Sequence, residues 1–242
     1  MPPPAPIALK VDLGDNGQQV KEGWVAWTEG HNVGERVSRS NLGGTNIDVT
    51  IEKTSGPELG FRNLYSIPHG KLTGDLVHIN DGDGGIRMIL SDLEPGDYII
   101  TTYHNVIWPS GNWDEIDITV DGILKVDNLR MSQTAGDDES AASATYSFAV
   151  AGSTATITFT PQGIGTWRNV ALNGFELVLA CSKCADFNHD GVIDSFDFQI
   201  FVQNWLCAGQ AGGYNWADLN CDGTVNFKDF ALFASQWLES CR

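Results

Sequence analysis

Two twelve-residue stretches near the C-terminus, Asp186 to Asp197 and Asp218 to Asp229, repeat one oxygen-donor spacing at a separation of 32 residues. Positions 1, 3, 5, 9 and 12 are Asp186, Asn188, Asp190, Asp194 and Asp197 in the first, and Asp218, Asn220, Asp222, Asn226 and Asp229 in the second. Position 7, Val192 or Thr224, offers its main-chain carbonyl. A hard cation that takes roughly six to eight oxygens on a flexible loop is served by this spacing, so the stretches read as two calcium loops holding two Ca2+ ions. Gly191 and Gly223 stand at position 6, where the loop bends back sharply. Four carboxylates in the first loop and three in the second repel one another until a divalent ion neutralises them. Binding and folding of this region are therefore expected to be coupled.

The repeat extends beyond the loops. Ala185 to Leu206 and Ala217 to Leu238 share ten identities over twenty-two positions. After each loop the apolar residues fall at helical spacing, Phe198, Phe201, Val202 and Trp205 in one copy, Phe230, Phe233, Ala234 and Trp237 in the other. Each unit is a loop followed by one short helix. No helical pattern precedes either loop, and position 12 is Asp where an EF-hand usually has Glu. This duplicated loop-helix unit over about the last sixty residues resembles a type I dockerin. The resemblance implies calcium binding and a cohesin-like protein partner. In that family positions 10 and 11 help to choose the cohesin, commonly through small hydroxyl residues. Here they are Ser195-Phe196 and Phe227-Lys228, a departure from that pattern.

Charge narrows the remaining partners. The 242 residues carry 31 acidic and 14 basic side chains, a net charge of −17, with no Lys or Arg cluster to neutralise phosphates or anionic lipid. Nucleic acid and membrane surfaces are not expected ligands. All five cysteines, Cys181, Cys184, Cys207, Cys221 and Cys241, lie in the last quarter of the chain. A small, cysteine-dense, calcium-binding region suits an oxidising setting, so the protein is expected to be secreted, extracellular or at the cell surface, with disulfides in this region. Cys207 with Cys221, and Cys241 with Cys181 or Cys184, are the preferred pairings. Residues 1–6, Met-Pro-Pro-Pro-Ala-Pro, read as an interdomain linker, with a signal peptide and a catalytic module expected upstream in a longer protein.

Residues 7–180 read as all β and residues 181–242 as the calcium-binding domain. Alternation of apolar and polar residues predicts strands over 7–13, 47–53, 86–90, 98–103, 116–120, 146–150, 155–160 and 175–179. The fold class is mainly β, an antiparallel sandwich of the jelly-roll or galactose-binding kind, followed by a small α pair. Leu93-x-Pro95-Gly96-Asp97-Tyr98, a strand ending Tyr103-His104-Asn105, then Ile116-x-Ile118-x-Val120-Asp121-Gly122 and Asn173-Gly174-Phe175-Glu176-Leu177, resemble malectin-like and related carbohydrate-binding modules. That resemblance implies a polysaccharide or oligosaccharide ligand.

A sugar presents an apolar face and a rim of hydroxyls, so its site needs an aromatic platform beside planar polar groups. The segment Tyr103 to Glu115 offers both. Trp108 and Trp113 are the expected platform, with His104, Asn105, Asn112 and Asp114 as hydroxyl partners and Tyr103 beside them. Trp167 and Arg168, in a Gly-rich stretch, are expected to approach the same end. Asp114, Glu115 and Asp117 supply carboxylates that glycoside hydrolysis would need, but the alternation puts Asp117, Thr119 and Asp121 on a strand's polar face. No sequence motif for nucleophilic, metalloprotease or phosphate chemistry occurs. The reading is a non-catalytic carbohydrate-binding module joined to a dockerin-like module in a secreted polysaccharide-active protein. An adhesion or scaffold protein without a sugar ligand, or a glycoside-active enzyme, are the alternatives.

Overall fold

A computed structural model describes residues 8–17, 19–56, 58–63, 70–79, 84–93, 96–106, 115–162, 170–180, 185–188, 190–206, 217–219 and 224–238. The chain folds as two compact units, Leu9–Val178 and Leu179–Arg242 with Met1–Ala8. No helix among the described residues is long and apolar enough to cross a membrane.

The larger unit is a β-sandwich. Its first sheet joins β1 (Ala8–Asp15), β2 (Val25–Glu29), β8 (Gly96–Val106), β11 (Ser132–Gln133), β12 (Ala142–Val150) and β15 (Gly174–Ala180) in the order β11-β8-β15-β1-β2, with β12 also paired to β8. The second runs β10-β9-β13-β7-β4-β3, made of β3 (Arg36–Arg39), β4 (Asp48–Lys53), β7 (Ile86–Ser91), β9 (Glu115–Val120), β10 (Ile123–Arg130) and β13 (Thr154–Pro161). A short third sheet holds β14 (Ala171–Leu172) beside β6 (Asp75–Ile79) and β5 (Leu59–Asn63), in the order β14-β6-β5. From β7 onward the chain repeatedly crosses between the two large sheets, as a jelly roll requires.

Period-two alternation builds the core. On β8 Tyr98, Ile100, Thr102 and His104 are buried, and on the antiparallel partner β12 so are Ala144, Tyr146, Phe148 and Val150. Tyr98 stacks on the directly opposed Phe148 with ring centroids 5.7 Å apart. On β13 Ala155, Ile157 and Phe159 face inward, and the His104 ring lies 5.3 Å from that of Phe159, bringing the two sheets together. The expected strands are all present, most of them longer than predicted. β2, β3, β5, β6, β10, β11 and β14 lack clean alternation and are not among the predicted strands. β1 with β2 and β8 with β11 depart from the antiparallel expectation, since they run parallel. The connection from β1 to β2 is pinned back onto β1, where Asp12 Oδ2 accepts from Lys21 N at 2.9 Å.

The smaller unit contains α1 (Ser195–Gln203) and α2 (Phe227–Ser235). Ala185, Ile193, Phe201, Ala217, Leu219, Val225 and Phe233 form its core, with Phe187 and Trp205 packed against it. The Phe201 and Phe233 rings stack at 5.4 Å, so the expected aromatic helix faces meet.

Candidate functional site

In the first loop each acidic side chain closes the loop on itself through backbone N–H groups. Asp186 accepts from Asp190 N and Gly191 N, Asp190 Oδ1 from Val192 N at 3.0 Å, and Asp194 Oδ1 from Phe196 N at 2.8 Å. Asp197, fully buried, accepts from Phe187 N and Asn188 N with Oδ1 and from Asp194 N with Oδ2. Gly191 has φ +94°, the left-handed bend that position 6 calls for. Loop and helix are one device, because Asp194 is also the N-cap of α1 and Asp197 completes its capping box.

Asn226 and Asp229 repeat that capping box at α2. Asp229 is fully buried and Asp218 nearly so. Asn226 Nδ2 donates to the Thr224 carbonyl at 2.9 Å, which turns the second loop's position-7 oxygen toward a neutral amide. Asn220, Asp222 and all five cysteines lie outside the described residues. The donors are uniformly oxygen, the set that suits calcium and neither zinc nor copper. Among the described residues no three Asp, Glu, His or Cys side chains already converge on one point. An ion would take over carboxylate oxygens that here accept from the loop backbone.

The two units of the repeat are locked reciprocally. Leu206 N, just past α1, donates to Val225 O of the second loop, and Leu238 N, just past α2, donates to Ile193 O of the first, both at 2.9 Å. Each loop is thereby braced by the other unit's helix.

The sandwich residues expected to hold a sugar separate into two groups. Trp108, Asn112, Trp113, Asp114, Trp167 and Arg168 lie outside the described residues. The strands that flank these segments are described, and Gln162 N donates to Glu115 O at 2.7 Å where segments 107–114 and 163–169 end and begin. His104 and Asn105 are a correction. β8 runs on through Val106, so these two belong to a strand and not to a loop. His104 is fully buried, with Nδ1 bonded to Ala171 O and Nε2 to Thr102 Oγ1, and burial lowers its pKa to about 4. Asn105 donates to Thr73 O and accepts from Ser132 Oγ and Ala135 N. Neither side chain is open to a sugar hydroxyl. Parity held the signal, since His104 shares the face of Tyr98 and Ile100. Tyr103 takes the opposite face, half-buried and edge-on to Trp24 at 5.6 Å.

Asp117 and Asp121 bond backbone amides, Asn128 N and Thr156 N, as turn-holding side chains do. The structure also gathers a group of carboxylates that local sequence does not suggest. Asp12 on β1, Asp75 at the start of β6 and Asp138 between β11 and β12 act on one another electrostatically. Asp138 Oδ1 accepts from Leu72 N and Thr73 N, and its Oδ2 pairs with Lys21 Nζ at 3.2 Å.

Residues 184–236 match the dockerin type I domain family, whose members bind calcium. No curated protein matches the chain. Similar solved structures include a family 35 carbohydrate-binding module from Clostridium thermocellum, 12% identical with a TM-score of 0.36, covering 52% of this chain and 90% of that one. CBM35 from Paenibacillus barcinonensis is 16% identical with a TM-score of 0.34, covering 59% of this chain and 98% of its own. A Bacteroides uniformis β-glucuronidase is 18% identical with a TM-score of 0.42, and the likeness covers 72% of this chain but 18% of the enzyme.

Proposed function

We propose that this chain is a non-catalytic carbohydrate-binding module joined to a calcium-binding docking module, part of a secreted, multimodular polysaccharide-active protein. The observation that carries the reading is the dockerin type I match over residues 184–236, on loops whose donors are all oxygen. Such a module tethers the domains fused to it, so the sandwich is the part that would be delivered. Two Ca2+ ions, one per loop, order the small unit, and the second loop with Asn226 at position 9 is the weaker site. Docking is proposed through positions 10 and 11, where Phe196 and Phe227 are 63% and 77% exposed, so the matching surface of a cohesin-like partner is apolar.

Sugar binding is proposed for the segment carrying Trp108 and Trp113, with Trp167 and Arg168 from the segment that springs from the same backbone junction. The test pairs a glycan array with an assay for bond cleavage. Binding without depolymerised product is expected, and Trp108→Ala or Trp113→Ala should weaken it about tenfold or more through lost stacking. Depolymerised product would favour an enzyme. Silence on every glycan would favour a scaffold.

A further inference from the structure

The sandwich buries carboxylates that lie outside both calcium loops and outside the proposed sugar site. Asp12 is 0% and Asp75 is 4% exposed. Asp12 and Asp138 are partly committed to Lys21 and to the 72–73 backbone. Asp75 is not balanced in this way: among the described residues its Oδ2 has no hydrogen-bond partner, and the charges of Asp12, Asp15 and Asp138 act on it unfavourably. Thr73 Oγ1, fully buried two residues earlier, also lacks one. Burial and this repulsion push the Asp75 carboxyl up to about 8, and burial foremost pushes Asp12 up to about 7. Such oxygens are costly to bury unless a proton or a cation joins them.

The turn that presents them is held from two sides. Thr73 is held at its N–H by Asp138 and at its carbonyl by Asn105. A methyl on Gly70 would lie 2.1 Å from Asp138 Oδ1, so only glycine lets the turn close around that carboxylate. We infer that Asp12, Asp75 and Thr73 form a cation site within the sandwich, taking a hard divalent ion of the calcium class through carboxylate, hydroxyl and main-chain oxygens. No three Asp, Glu, His or Cys side chains among the described residues cage a metal by themselves. Neutral oxygens would complete the set, which suits calcium better than zinc, whose sites prefer nitrogen and sulfur.

The test compares the full chain with Asp75→Asn by equilibrium dialysis against calcium and by calorimetry at pH 7.5. The variant should bind one equivalent fewer than the parent. Calcium should raise the melting temperature of the sandwich in the parent and leave it unchanged in the variant, with a smaller effect in the parent at pH 5. In chelator above pH 8, where the Asp75 carboxyl is ionised, the variant should melt higher than the parent, because that buried repulsion is gone. If Asp75→Asn does not fold, Thr73→Val serves, and the calcium midpoint of the sandwich transition should move upward. Loss of ions from the C-terminal loops, as in Asp186→Asn, changes the total count without moving this transition, so the two readings fail separately. Equal calcium counts in parent and variant, with a sandwich transition indifferent to calcium, overturn the inference and leave a proton shared by Asp12 and Asp75 as the occupant.

Discussion

Asn105 turns both ends of its amide to the protein itself. Its Nδ2 donates to Thr73 O while Oδ1 accepts from Ser132 Oγ and Ala135 N, joining β8 to the 70–74 turn and to the strand-connecting segment after β11. Removing it takes the Asn105 partner from a buried carbonyl and a buried N–H, and each such lost bond to a buried group costs about 1–3 kcal/mol. Asn105→Ala should therefore lower the stability of the sandwich by roughly 2–4 kcal/mol in urea denaturation. The affinity of the surviving folded protein for its glycan should not change, whereas Trp108→Ala should do the reverse. Gly174 makes the same point through space: a methyl there would lie 2.4 Å from Val11 O and 2.7 Å from a Leu72 methyl. Gly174→Ala should destabilise the sandwich more than an ordinary surface change, measurable as a lower urea midpoint.

The two helices are nine residues each, below the roughly 12–15 residues at which an isolated helix becomes marginally stable. They persist through capping boxes that belong to the calcium loops and through the aromatic core that they share. Chelation should thus abolish a separate C-terminal unfolding transition, or its protease resistance. A module equally resistant in chelator would mean that its cysteines alone hold it. Phe201→Ala, at the stack on Phe233, should cost on the order of 3–5 kcal/mol and unfold the module unless calcium is in large excess. The helix ends carry a strain that can be relieved. Leu206 and Leu238 take φ +58° and +64° while the residues are 68% and 71% exposed. Glycine fits that conformation without penalty, so Leu206→Gly should stabilise the module by up to about 1 kcal/mol, read as a lower calcium requirement for folding.

For the molecule as a whole, pH sorts the buried groups into two opposing sets. Asp12 and Asp75 have folded pKa values raised to about 7 and 8, so their contribution is full below the ordinary carboxylate range and is lost as pH rises through those values. His78 and His104 are lowered to about 4, so their contribution is full above the ordinary imidazole pKa and is lost as pH falls toward 4. In chelator the carboxylates, with the larger shifts, should win, and the sandwich melting temperature should fall between pH 5 and pH 8. Thermal melts across that range check the sign. A rise instead would mean that the histidines dominate.

Much of this is legible in the chain itself. The calcium loops are readable because each donor set lies within twelve consecutive residues, so spacing alone specifies the geometry, and the long strands are readable because burial alternates along one segment. β3 and β10 are not, since they sit at sheet edges with exposed faces and carry little alternation. His104 and Asn105 look like ligands because a polar run ending a strand resembles a loop, and only the extension of β8 to Val106 puts them in the interior. Asp12, Asp75 and Asp138 are 63 residues apart at each step, and nothing local links them. Their meeting follows from strand order and from a turn closed over Asp138. Short-range chemistry is written in adjacent residues, whereas long-range electrostatics exists only once packing has removed the intervening chain and the water between the charges.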